Sequence, residues 1–250
     1  MLTDPFFWLV IIPAVTLLGL SKGGFTGLGM ASTPLVALVL APLQAAAILL
    51  PILLVQDVIS VFVYRRDWSA WNLRVLTPGA AIGVAAAWLV AAHVSEAFVR
   101  LAIGLIGVGF SLNFRLARMP AHAARPTVAS GLFWGILSGF ASTFAQVGAQ
   151  PYQLHILPQR LDKMTLVGTT VLFFASVNVM KVVPYFSLGQ FSPDGLGVSI
   201  ALLPLAIGTN FLGIWLVRRT PTAVFYRLAY ILVLIISLAL FAQGAYRLLG

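Results

Sequence analysis

The spacing of charges constrains this chain more than any other feature. No Asp, Glu, Lys or Arg interrupts residues 5–21, 23–56, 75–95, 101–114, 126–159, 164–180, 195–217 or 228–246. A helix crossing the hydrocarbon core of a bilayer needs roughly 20 mainly apolar residues. Most of these runs meet that length once their polar ends snorkel to the interface. Two runs, 23–56 and 126–159, exceed one crossing and must turn within themselves. Only 8% of the residues are charged and 60% are apolar, whereas a soluble domain carries about 25% charged residues. The chain therefore reads as an all-α, multi-pass integral membrane protein whose first partner is the lipid bilayer.

Several function classes fall away at once. The start, Met1-Leu2-Thr3-Asp4-Pro5, lacks the basic region of a cleaved signal peptide, so the first apolar segment is expected to stay. The chain has no cysteine, which removes disulfides, thiol catalysis and cysteine metal sites. His93, His122 and His155 are scattered without metal-ligand spacing, and no metal or cofactor is expected. The net charge of +9 sits in short loops between apolar runs, a mark of membrane topology and not of nucleic-acid binding. His-Glu-x-x-His, Walker A and Gly-x-Ser-x-Gly motifs are all missing, so the chain does not read as an enzyme.

The two halves of the sequence resemble each other. A shift of 117 carries Ser21, Thr26 and Pro34 onto Ser138, Thr143 and Pro151. A shift of 127 carries Trp88-Leu89-Val90 onto Trp215-Leu216-Val217, and Phe98, Arg100 and Leu101 onto Phe225, Arg227 and Leu228. The ten extra residues fall around Pro184–Gly195, where Gly, Pro and Ser allow a loop to lengthen. Residues 1–118 and 119–250 are thus expected to form two repeats of one membrane domain. Cytoplasmic loops carry the excess of Lys and Arg, which puts Arg65, Arg66 and Arg74, Arg115, Arg118 and Arg125, and Arg218, Arg219 and Arg227 inside. That parity holds if segment 126–159 enters and returns. Each repeat is then a broken, re-entrant helical hairpin followed by three spanning helices, and the two repeats are inverted, an architecture of transporters and channels.

The hairpins carry the chemistry. The first reads Leu20-Ser21-Lys22-Gly23-Gly24-Phe25-Thr26-Gly27-Leu28-Gly29. Each glycine weakens a helix by up to about 1 kcal/mol relative to alanine, so the run predicts a break followed by a half-helix over 27–40. Freed amides at its N-terminus, with Lys22 beside them, would suit an anion. Lys22 could equally be a helix-end residue snorkelling to the interface. The second hairpin, residues 138–153, adds neutral donors: Ser142, Thr143, Gln146, Gln150 and Gln153, next to Gly148. The candidate anion site is therefore Lys22, Gly23, Gly24, Thr26 and Gly27 with Ser142, Thr143, Gln146, Gly148 and Gln150. Gly131, Gly135 and Gly139, spaced by four, read as helix-packing contacts. Asp57, within a helix over 42–64, is either a proton-coupling carboxylate or a partner for a basic residue. Asn178 either lines a pathway or caps a neighbour. Lys181 reads as a snorkelling residue near a helix end, and with Asp57 and Asn178 it completes the coupling or pathway candidates.

Gly19-Leu20-Ser21-Lys22-Gly23-Gly24-Phe25-Thr26-Gly27, with Pro34-Leu35, Pro42 and Pro51, resembles the TauE/SafE sulfite exporter family of membrane transporters. Ser138-Gly139, Pro151-Tyr152, Asn178-Val179-Met180-Lys181, Pro204 and Gly208 extend the resemblance over essentially the whole chain. Members usually carry a glycine-rich run before the second-half proline; here that stretch is Ala145-Gln146-Val147-Gly148-Ala149-Gln150. The resemblance implies secondary transport of a small sulfur-containing anion, sulfite or an organosulfonate, in the bacterial plasma (inner) membrane. A passive anion channel built from paired re-entrant hairpins is the alternative reading, and self-association into a homo-oligomer is open.

Overall fold

A computed structural model describes residues 5–25, 28–36, 42–90, 95, 97–98, 101–102, 104–105, 108, 126–145, 147–187 and 191–249. Among these residues the regular structure is helical throughout. The elements are α1 (Pro5–Lys22), a 3-10 turn (Leu28–Ala31), α2 (Ser32–Val36), α3 (Pro42–Tyr64), α4 (Ala70–Val90), α5 (Val128–Ala145), α6 (Ala149–Ile156), a second 3-10 turn (Leu157–Gln159), α7 (Lys163–Ser187), α8 (Pro193–Arg219) and α9 (Thr222–Leu249). Four of them, α1, α4, α7 and α8, are long and apolar enough to cross a membrane. The expected helices over 42–64, 73–92, 163–186 and 195–217 are present within a few residues. Most of the one expected over 97–114 lies outside the described residues, as do the basic cluster 115–125 and His122.

By its internal contacts the chain forms two compact units, each drawn from both halves of the sequence. The first comprises Met1–Trp68 and Val167–Pro221; the second comprises Ser69–Leu166 and Thr222–Gly250. In the first unit, Phe7, Ile11, Val15 and Leu18 of α1 pack with Ile48, Leu49, Ile52 and Leu53 of α3 and Val198, Leu202 and Ala206 of α8. Tyr185 of α7 packs on Leu50 of α3. Prolines interrupt the long helices at Pro13, Pro51, Pro78, Pro184 and Pro204, each leaving a carbonyl that lipid cannot satisfy. Near one such break Ser199 Oγ of α8 donates to Ile48 O at 2.7 Å, one turn before Pro51.

In the second unit α4 and α5 approach through glycines. A Cβ on Gly79 would stand 2.5 Å from Leu132 O, and one on Gly83 2.1 Å from Ile136 O. From the other helix, a Cβ on Gly135 or Gly139 would stand 2.4 Å from Leu76 O or 2.2 Å from Ala80 O. Small residues let backbones come this close when lipid offers no hydrophobic drive for helix association. The packing role read for Gly131, Gly135 and Gly139 is thus seen directly, since Gly131 too abuts Val75 of α4.

Candidate functional site

Helix α1 ends abruptly at Lys22, and the reason is the glycine pair that follows. Gly24 has φ +133°, a conformation that residues with a Cβ rarely adopt. The Phe25 amide bonds back to Leu20 O at 3.3 Å and the Gly24 amide to Ser21 O at 3.0 Å, the pairing of a Schellman C-cap. The chain then turns into the 3-10 residues and α2, and Ser32 Oγ ties the returning leg to α1 by donating to Ala14 O at 2.7 Å. The returning leg is helical over 28–36, and the rest of the half-helix expected over 27–40 lies outside the described residues.

One face of α3 grips this helix end. Ser60 Oγ donates to Lys22 O at 3.0 Å, and Tyr64 Oη donates to Gly23 O at 2.8 Å. These are the carbonyls a helix C-terminus leaves without intrahelical partners. One turn earlier on the same face, Asp57 Oδ1 receives Lys22 Nζ at 2.5 Å. Its other oxygen, Oδ2, accepts from Asn178 Nδ2 of α7 at 2.6 Å. Both carboxylate oxygens are thus engaged, one by a cation and one by an amide donor. Lys181, one turn along α7 from Asn178, is fully buried and within electrostatic reach of Lys22 and Asp57. The snorkelling expected of Lys181 is corrected: its helix carries it into the protein. The same holds for Lys22, whose ammonium is held by Asp57 with only 12% of its side chain exposed.

The polar layer continues toward α8. Asn210 Nδ2 donates to Gln56 O at 3.0 Å, and Asn210 Oδ1 lies 3.1 Å from Ser60 Oγ, where it shares the hydroxyl's single proton with Lys22 O. Gln56 Nε2 donates to Ala206 O at 2.9 Å. Reasoning from sequence named Asp57, Asn178 and Lys181 but passed over Gln56, Ser60, Tyr64 and Asn210. The signal was available, since positions 56, 57, 60 and 64 fall on one helical face of an otherwise apolar segment.

The second hairpin lies in the second unit and closes differently. Ser138 Oγ donates to Gly148 O at 2.7 Å, latching α5, about two turns before its end, to the start of α6. A Cβ on Gly148 would stand 2.4 Å from Ser138 O and 2.6 Å from Ser142 Cβ, so the latch requires glycine there. Ser142 and Gln150 are buried. The Thr143 hydroxyl donates to Gly139 O at 2.9 Å, so an oxyanion could take this proton only if the hydroxyl turned away from its own helix. Below the latch, Asn72 and Gln159 exchange amide hydrogen bonds at 2.9 and 3.0 Å. Thr26, Gly27 and Gln146, expected in the site, lie outside the described residues. Among the described residues, no group of three or more His, Asp or Glu is gathered as metal ligands would be.

A protein-family model described as sulfite exporter TauE/SafE matches residues 11–240. Neither the curated proteins nor the solved structures yielded a match.

Proposed function

Because the chain belongs to the TauE/SafE sulfite exporter family, whose members are integral membrane transporters, we propose that it moves a small sulfur-containing anion, sulfite or an organosulfonate, by alternating access. The single observation that carries the reading is the ionic cluster at the broken end of α1. Charged side chains are expensive inside a membrane protein and are kept where ions or substrates pass. Here Lys22 stands at a helix break with Gly23 and Gly24 beside it, Asp57 faces it, and Asn178 holds the other oxygen of Asp57. We assign to anion binding Lys22, Gly23, Gly24, Thr26 and Gly27 in the first hairpin, and Ser142, Thr143, Gln146, Gly148 and Gln150 in the second. Asp57, Asn178 and Lys181 serve coupling.

Two inverted repeats, 1–118 and 119–250, form the scaffold of this reading, and the packing supports a duplication. Gly19 and Gly23 of α1 lie against Asn210 of α8, while Gly83 of α4 lies against Ile136 and Phe140 of α5. Adding 117 to 19 and 23 gives 136 and 140; adding 127 to 83 gives 210. The contacts of one unit thus map onto those of the other by the shifts that align the sequence. The bacterial inner membrane is the location this reading implies.

Counterflow in proteoliposomes tests it, with sulfite, thiosulfate, sulfoacetate and sulfate as trapped and external anions. Saturable exchange of at least one sulfur anion, driven uphill by a gradient, is expected. Flux that neither saturates nor exchanges would mark a channel and overturn alternating access. Silence toward all four anions would overturn the substrate class.

A further inference from the structure

An oxyanion would need a cation and a neutral donor around it, and both are already occupied by a side chain. Asp57 places one oxygen on the Lys22 ammonium at 2.5 Å and the other on the Asn178 amide at 2.6 Å. The two donors come from different helices, α1 and α7, and meet at a planar, two-oxygen anion. We propose that Asp57 is an internal counter-ion that fills the anion position at Lys22 in the empty protein, and that an incoming sulfur oxyanion displaces it only as Asp57 takes up a proton. This rests on the transport reading above and specifies its coupling.

The displaced carboxylate cannot leave. Asp57 sits mid-helix on α3, only 4% exposed, with Ser60 and Tyr64 of its own face committed to the end of α1. An ionised carboxylate without its partner in such a place is strongly disfavoured, and a group so placed neutralises instead. One proton from solution binds Asp57, and the anion's charge replaces the carboxylate's at Lys22. The charge of the cluster is the same before and after when the anion is monovalent. The charged groups facing Asp57 are Lys22 on α1 and Lys181 on α7; α8 brings the neutral Asn210 to the neighbouring Ser60, and Tyr64 is the other titratable group on the same face. The competing arrangement, an anion held beside an undisturbed Lys22–Asp57 pair, would take up no proton.

The probe is methanesulfonate, whose charge does not change over the pH range used, on purified full-length protein. Calorimetry in buffers of different ionisation enthalpy counts protons taken up per anion. About one proton per anion is expected, and uptake of one proton weakens binding by up to about tenfold for each unit the pH rises. Asp57→Asn keeps the shape and removes the competitor, so it should bind at least as tightly as wild type and lose the pH dependence. Proton-free, pH-independent binding by the wild type overturns the counter-ion while leaving transport standing. If methanesulfonate, sulfite and thiosulfate all fail to bind at any pH, both readings fall. The wild-type proton count needs no variant, so the outcome is decided even if Asp57→Asn does not fold.

Discussion

Replacing Lys22 with Gln keeps the length of the side chain but takes away the cation that Asp57 faces. Breaking one side of a buried ion pair costs about 3–5 kcal/mol, because a charge is left uncompensated; an exposed pair is worth about 0–1 kcal/mol. The exposures here, 12% for the Lys22 side chain and 5% for Asp57, place the pair near the buried limit without sealing it. Asp57 would also keep its bond from Asn178, which softens the loss. An expected cost of about 2–3 kcal/mol follows, or roughly 4–12 °C in apparent melting temperature at about 2–4 °C per kcal/mol for a chain of this size. The double variant Lys22→Gln/Asp57→Asn removes both charges and should recover most of that loss, giving a coupling energy of about 2 kcal/mol. Thermal unfolding of these two variants and of Asp57→Asn, purified in detergent and followed by tryptophan fluorescence, measures all three. Additive losses, with the double variant less stable than either single one, would refute a direct interaction between Lys22 and Asp57.

Gly24→Ala puts a Cβ at φ +133°, 2.8 Å from a Val217 methyl, and should weaken sulfonate binding at least tenfold, about 1.4 kcal/mol, as read by calorimetry on protein that still inserts. Tyr64→Phe deprives Gly23 O of its donor and should cost about 1–3 kcal/mol in unfolding experiments; an unchanged melting temperature would show that water replaces the hydroxyl. Gly83→Ala drives a Cβ to 2.1 Å from Ile136 O, whereas Gly208→Ala meets nothing within 4 Å. The first should lower the melting temperature, and the second should leave it unchanged or raise it through helix propensity worth up to about 1 kcal/mol. Single cysteines placed in 65–74, 115–125 and 218–221 of this cysteine-free chain should resist an impermeant maleimide in intact cells. Labelling near Arg218 but not near Arg66 would defeat the inverted repeat.

Membrane class, helix positions and the hairpin break were legible in the sequence because each follows from local chemistry. A charge-free run of sufficient length has few other solutions, and Gly23-Gly24 after Lys22 ends a helix whatever surrounds it. The matches at offsets of 117 and 127 were legible for the same reason, as identity at constant offset needs no knowledge of packing. What Lys22, Asp57 and Lys181 do was not legible. An isolated charge in an apolar run has the same local pattern whether it snorkels, pairs or binds a ligand. Only the placement of α1, α3 and α7 together put Lys22 on Asp57, Asp57 on Asn178, and Lys181 fully inside. Tertiary structure also decided that the compact units take elements from both halves, since α1 finds its glycine-matched partner in α8, some 190 positions away. Helix formation is settled within a few turns, but the partner of a buried charge is settled by whichever helix removes it from lipid.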